Sequence, residues 1–282
     1  MNKKEFFTAI AADVSQGELA FPTSARVAMK VRQALGDPGC HLDAAAKLVQ
    51  AEPLLSARVV AIANSVAFNR SGREITDVRT SVARLGFSTL RSLAAALVTR
   101  QLAGGTGMKG NEAGEALAAQ LWEHTACVAS LAHVLARRVT KVDPDTAMFA
   151  GIVHEVGGFY LLSRAKEYPG LLDGDFDAWT ESGEAEVGRA VLKVLAVPEQ
   201  VLDAINYFWN GYMGMPATSL GDTLLLAAGL SPVPSPLRTK GSDDPSVGMA
   251  ASIDMMIGEE SLSSILEESY EEVRSLTEAL KF

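Results

Sequence analysis

His154 and Glu155 stand side by side in the middle of a stretch, Met148 to Leu162, that is otherwise almost wholly apolar. An imidazole nitrogen and a carboxylate are donors that divalent cations take from proteins, and in an apolar setting such groups need a partner. A second histidine, His124, fills one position of the seam Leu117, Leu121, Val128, Leu131 and Leu135, and it precedes His154 by 30 residues (154 − 124). Two kinds of chemistry are open to this set. It can hold a metal ion that activates water, or it can form a buried hydrogen-bonding pair that fixes two helices, with Glu155 turned to solvent or to neighbouring backbone. A metal needs three or more protein ligands beside its open position. His133 falls on the opposite face from His124 at about 100° per residue, and belongs to the surface or to a contact between lobes.

The elements that must position these groups are helical. Met148, Ile152, Val156 and Phe159 recur at helical spacing, and Phe149, Val153 and Tyr160 widen the stripe, which predicts one central buried helix over 148–162. Asp143-Pro144 is an N-cap followed by proline at the first helical position. The longest helix runs from Glu112 to about Val139, so a short turn joins the two, and antiparallel packing lets His124 face His154. Before this hairpin the pattern predicts further helices. A cap at Phe21-Pro-Thr-Ser24 starts one, Glu52-Pro53 starts another that stops at Asn64-Ser65, and Gly86 interrupts a third. Gly104-Gly-Thr-Gly107 reads as a linker. After the hairpin come helices around Val187–Leu195, from Pro198 to Gly211 and over 220–230, then Ser231 to Pro245 as a mobile surface loop by composition. Leu262, Ile265, Leu266, Val273, Leu276 and Leu280 form the apolar stripe of a last helix over 260–281. No useful period-two alternation survives, so the fold class is all-α. The division expected is an N-terminal helical lobe (1–105), a second helical lobe (106–212) and a C-terminal helical extension with a Pro-rich loop (213–282).

The 25 basic against 34 acidic residues leave a net charge of −9, with no long basic run, and this disfavours binding to nucleic acid. Cys40 and Cys127 make neither a disulfide framework nor a zinc pattern, as expected for reduced thiols in the cytoplasm. Glu5, Thr8 and Asp13 interrupt any leader-like apolar run, and neither a signal peptide nor a membrane span is expected.

An ordered series of short motifs resembles the HDOD domain, the HD-related output domain of bacterial signalling proteins. The series is Phe21-Pro-Thr, Glu52-Pro-Leu-Leu-Ser-Ala-Arg-Val-Val-Ala-Ile-Ala-Asn-Ser65, Ser81-Val-Ala-Arg-Leu-Gly86, Trp122-Glu-His124, Ala150-Gly-Ile-Val-His-Glu-Val-Gly157 and Gly183-Glu-Ala-Glu-Val-Gly188. It covers about Gly17 to Tyr212. The resemblance implies two helical lobes, the second related to the HD metal-dependent phosphohydrolases. In those enzymes two histidines, an aspartate beside the second of them and a distant aspartate hold the metal. His124 and His154 match the histidines, whereas Glu155 replaces the adjacent aspartate with a carboxylate one methylene longer. Gly158 replaces a lysine, and Ala228 falls near the late aspartate, six residues after Asp222. Glu184 and Phe208-Trp209 fall where binuclear relatives carry histidines.

What the resemblance implies is therefore a non-catalytic signal-transduction module with vestigial HD positions at His124, His154 and Glu155, with no metal and no cofactor. It would act through signalling proteins as partners, as a monomer or homodimer, with a nucleotide in the interlobe cleft as a further ligand. The alternative is a metal-dependent phosphohydrolase acting on a nucleotide or cyclic dinucleotide. Asn64 and Ser65 are either a local helix stop or a contact between lobes.

Overall fold

Start signals in the sequence become helix ends one after another. Glu52 caps α4 (Pro53–Ala63) by accepting from Leu55 N at 2.5 Å, and Asp143 caps α7 (Pro144–Val153) by accepting from Thr146 N at 2.7 Å. In both, proline takes the first helical position, where a missing N–H costs nothing. Ser219 and Asp222 form a reciprocal capping box at the head of α11 (Leu220–Gly229). The other helices are α1 (Lys3–Ser15), α2 (Thr23–Ala34), α3 (Leu42–Gln50), α5 (Val78–Ala103), α6 (Glu112–Leu135), α8 (Val156–Ser163), α9 (Glu184–Val194), α10 (Glu199–Asn210), α12 (Leu262–Glu268) and α13 (Tyr270–Leu280). The computed structural model describes residues 3–16, 23–103, 112–174, 176–214, 216–238 and 262–281. Among them there is no strand, so the fold is all-α, and no helix is long and apolar enough to cross a membrane. The turn at Phe21-Pro22, the Gly104–Gly107 linker and the part of the Pro-rich loop beyond Arg238 lie outside the described residues.

α5 is the spine. It breaks at Gly86, whose φ of 72° is a left-handed conformation that suits glycine, and α2, α3 and α4 pack along it. The same helix also packs on α7 and α8, which joins the N-terminal helices to the second group. That group is the α6–α7 hairpin, turned by a π-helical segment at Ala136–Thr140 and left-handed Lys141, with α8 to α11 around it. α1 does not join the helices that follow it in sequence. It lies on α9 and on the π-helical turn Trp179–Gly183, with the Phe7 ring edge-on to Trp179 at 5.5 Å, so the second lobe includes the first helix of the chain.

Two expectations about helix continuity are corrected. The stretch 148–162 is two helices, because the chain turns at His154-Glu155 with Glu155 at φ −106°, ψ 20°. After the turn, a Cβ on Gly157 would lie 2.7 Å from Gly188 Cα, and the missing side chains let α8 lie directly on α9. The C-terminal stripe is likewise divided at Ser269 into α12 and α13. Its apolar face packs in cis, with Leu262, Ile265, Leu276 and Leu280 buried and α13 touching both α6 and α4. Arg137–Glu272 and Arg138–Glu268 pairs at 2.6 Å each and the Trp122 indole N–H to Leu280 O at 3.3 Å fasten it.

Candidate functional site

His124 reaches the site from the middle of α6, and His154 from the end of α7. The two helices approach so closely that a Cβ on Gly151 would lie 2.6 Å from Ala129 Cα, which brings the imidazole centroids to 5.6 Å. The rings are not bonded to each other, contrary to the paired arrangement considered from sequence. His124 Nδ1–H donates to Val233 O at 2.6 Å and His154 Nδ1–H to Gly151 O at 2.7 Å. A carbonyl can only accept, so each ring carries its proton on Nδ1 and presents a lone pair on Nε2.

Both lone pairs face one carboxylate. Glu155 is buried, not turned to solvent, because the break between α7 and α8 swings its side chain inward. Its Oε1 lies 3.7 Å from His124 Nε2 and 3.8 Å from His154 Nε2, while Oε2 accepts from Ser235 Oγ at 3.0 Å. His154 Nε2 and Glu155 Oε1 have no hydrogen-bond partner among the described residues.

The residue that completes the site is Arg238, in the segment expected to be a mobile surface loop. Residues 231–238 instead form an arm that lies over the two histidines. Val233 supplies the carbonyl to His124, Ser235 the hydroxyl to Glu155, and the fully buried Leu237 seats where a Cβ on Gly158 would be 2.6 Å from its Cδ1. Arg238 Nη2 donates to both oxygens of Glu184 at 2.9 and 3.0 Å, its Nε is 4.0 Å from Glu155 Oε1, and its guanidinium lies over the Phe208 ring. Sequence reasoning missed Arg238 because proline and serine around it signal a turn, and nothing in spacing tells which way a loop's last side chain points.

Burial sets the protonation of the group. It drives His124 down to about 4, against the pull of its bond to Val233, and Arg238 pushes in the same direction. His154 is held far below the ordinary imidazole range by burial and by the neighbouring His124. Burial raises Glu155 and Glu184 above the usual carboxylate range, with Arg238 opposing in both cases. For Arg238 burial works against the charge, and Glu184 and Glu155 more than offset it, leaving the guanidinium firmly protonated.

As ligands, His124, His154 and Glu155 offer three donor atoms within 4.8 Å of one another. With two unpartnered lone-pair atoms among them and backbone carbonyls fixing both imidazoles, the set fits one divalent ion with three protein ligands. It does not build a second ion site, since Phe208 sets its ring edge-on to His154 at 5.4 Å and Arg238 occupies the side of Glu184. Asp222 is spent on its cap: its carboxylate accepts from Gly214 N at 2.7 Å, Ser219 N at 2.9 Å and the Tyr207 hydroxyl at 3.1 Å. Ala228 offers only a partly buried methyl group.

Asn64 and Ser65 stay apart from this cluster. The Asn64 carboxamide bridges Ile75 N and Ile75 O at 2.8 and 2.7 Å, and Ser65 Oγ donates to Ile62 O at 2.7 Å, so their side-chain bonds are local ones that close α4. The long-range contact falls one residue later, where Val66 N donates to Ser275 Oγ on α13. His133 is buried; it bonds Pro144 O at 3.3 Å and its ring lies 5.4 Å from that of Phe68, in the turn that follows α4, which is the lobe-contact alternative.

A family model for the HDOD domain matches residues 21–210. The chain belongs to the HDOD domain family. No curated protein sequence matches it. An HDOD domain protein of unknown function from Geobacter sulfurreducens aligns over 98% of each chain at 22% identity, with a TM-score of 0.61. A Shewanella amazonensis protein provisionally named a metal-dependent phosphohydrolase aligns over 99% of each chain at 21% identity, TM-score 0.75. A Marinobacter aquaeolei protein provisionally named for signal transduction covers 93% of this chain and is itself covered over 58%, at 18% identity and TM-score 0.53. At these identities the likeness is one of fold. Within the HDOD fold of this chain, α12 and α13 lie beyond the matched span, and yet α13 packs on α6.

Proposed function

We propose that this HDOD protein is a non-catalytic regulatory module of bacterial signalling that acts in the cytoplasm by contact with other signalling proteins, not with nucleic acid or membrane. The observation that supports this reading is Arg238. A protonated guanidinium stands between Glu155 and Glu184, so the positive charge that an HD-type site takes from a metal is supplied here by the chain itself. A divalent ion brought to His124, His154 and Glu155 would have to enter beside that fixed charge, with Coulomb repulsion that is large wherever water is excluded. The arm also closes the approach a substrate would need, since Val233, Ser235 and Leu237 all lie on the site.

Elemental analysis of protein purified without chelator tests the reading, together with assays on bis-p-nitrophenyl phosphate and cyclic dinucleotides in manganese. The expected result is no stoichiometric metal and no turnover. One metal per chain with turnover that disappears in His124→Ala would overturn it. A pull-down from the native host would then identify the partner.

A second reading, a metal-dependent phosphohydrolase acting on a nucleotide or cyclic dinucleotide, is favoured by the geometry of the three donors. An ion bound there would lower the pKa of its water and polarise a phosphoryl oxygen. His124 and His154 would hold it through Nε2, with Glu155 as the third ligand. For this reading the arm would have to leave the site.

A further inference from the structure

A hollow of about 240 Å³ opens between the lobes, walled by α2, α5, α7 and the first turn of α10. It shares no lining residue with the histidine site. Its charged lining consists of Arg32 from α2 and Arg91 from α5, with Ser88, Thr146, Phe149 and Gln200 among the remaining walls. In a chain with a net charge of −9, two arginines face one hollow that no acidic side chain lines.

Neither arginine is neutralised. Arg32 donates to the carbonyls of Leu195 and, at 3.1 Å, Ala196, and Arg91 donates to Leu35 O at 3.4 Å; no described carboxylate pairs with either. Burial first, and then the charge of Arg91, push Arg32 below its ordinary value. Asp143, the acid bonded to the lining residue Thr146, is engaged at the cap of α7 by Thr146 N and Thr146 Oγ1, at 2.7 and 2.6 Å. Two adjacent guanidinium groups without a counter-charge are costly unless an anion completes them. Arg32 is also held by the Phe149 ring, 5.5 Å from its guanidinium carbon, which fixes the fork in place.

The class of anion follows from charge and size. Two arginines match a dianion: Arg91, with one long bond to Leu35 O, offers a fork suited to phosphate oxygens, and Arg32, whose Nη1 and Nη2 already hold carbonyls, adds its charge and its remaining N–H groups. Gln200, Ser88 and Thr146 add neutral polar side chains to the lining. The volume lies below the roughly 300–1,000 Å³ typical of pockets for drug-sized ligands, which leaves room for one phosphoryl group on a short carbon skeleton and none for a dinucleotide. We propose that the hollow binds a small phosphate-bearing ligand whose phosphoryl group pairs with Arg32 and Arg91. This goes beyond the regulatory reading above and does not depend on the state of the histidine site.

Calorimetry and thermal melting with inorganic phosphate and glycerol 3-phosphate, against glycerol and chloride at matched ionic strength, test the site. Both phosphate probes are expected to bind and to raise the melting temperature, while glycerol and chloride do neither. Arg91→Gln should weaken binding about tenfold or more, the loss of one charge-assisted fork. Ser88→Leu fills the space and keeps both charges, so it decides the question even where Arg91→Gln folds poorly, and binding should fall there too. No binding of either probe to the parent protein overturns the proposal. Binding undiminished in either variant marks an adventitious ion only, and overturns it as well.

Discussion

The Arg238 guanidinium carbon lies 4.4 Å from the centre of the Phe208 ring, while its Nη2 donates to both oxygens of Glu184. The aromatic face and the carboxylate fork hold the cation from two directions, although about a third of the side chain (34%) still meets solvent.

Replacing Arg238 with methionine should therefore cost about 2–3 kcal/mol at neutral pH, since Glu155 and Glu184 would be left buried without their cation. The loss should shrink on acidification, because both carboxyls already sit above their ordinary range and would take a proton to relieve it. On the regulatory reading, Arg238→Met should also acquire one zinc or manganese ion that the parent is expected not to bind, lost again on adding His154→Ala. Denaturant titration and elemental analysis measure the two effects. A variant as stable as the parent at every pH would show that the guanidinium is idle.

Acid should expose the histidines. His124 is held near 4 when folded against 6.5 ordinarily, so between those values the unfolded chain binds a proton that the folded chain refuses, and stability falls as pH falls. Over the whole interval that is about 3 kcal/mol from this one group, and His154 adds in the same direction. Glu155 and Glu184 work the other way, binding protons first in the folded state as pH drops. The clean measurement is a difference. His124→Gln should flatten the loss of stability from pH 6.5 to 4, and identical profiles for the two proteins would refute the assignment.

Gly158→Ala should unseat the arm. The added Cβ would meet Leu237 Cδ1 at 2.6 Å and Leu121 Cδ2 at 3.2 Å, an overpacking that costs about 1–3 kcal/mol. Its signature is local. Trypsin should cut after Arg238 faster in the variant than in the parent, and unchanged cleavage would mean that Leu237 has another place to go.

Deleting residues 262–282 should leave insoluble protein, because Leu262, Ile265, Leu276 and Leu280 are buried and Trp122 would lose its bond to Leu280 O. Solubility and melting of the truncated chain settle the point. A soluble monomer with parental melting would show that the extension is not part of the core.

The order of the helices and the identity of the three donors were legible from sequence because each rests on local rules. Proline after Glu52 or Asp143, a histidine in a leucine seam and glycine at 86 or 211 need no knowledge of distant neighbours. What escaped was long-range. The turn at His154-Glu155 goes with the close approach of Gly157 and Gly188, 31 residues apart (188 − 157), and the inward swing of Glu155 follows from that turn. α1 joins α9 through Phe7 and Trp179, which no period in either segment announces. Arg238 lies 54 residues from Glu184 and 83 from Glu155 (238 − 155), and only the folded arm brings them together.

A guanidinium on a tether differs from an ion in solution. Its local concentration is fixed by the length of the arm, far above what dissolved zinc or manganese reaches in a cell, and it cannot be exchanged, chelated or outcompeted. On the regulatory reading proposed above, the electrostatic state of the His124–His154 site would be settled when the polypeptide is made and would be independent of the metal supply. Starvation for metals would leave it unaltered. A single proteolytic cut between Val233 and Arg238, by contrast, would do to this protein what a chelator does to a metalloenzyme.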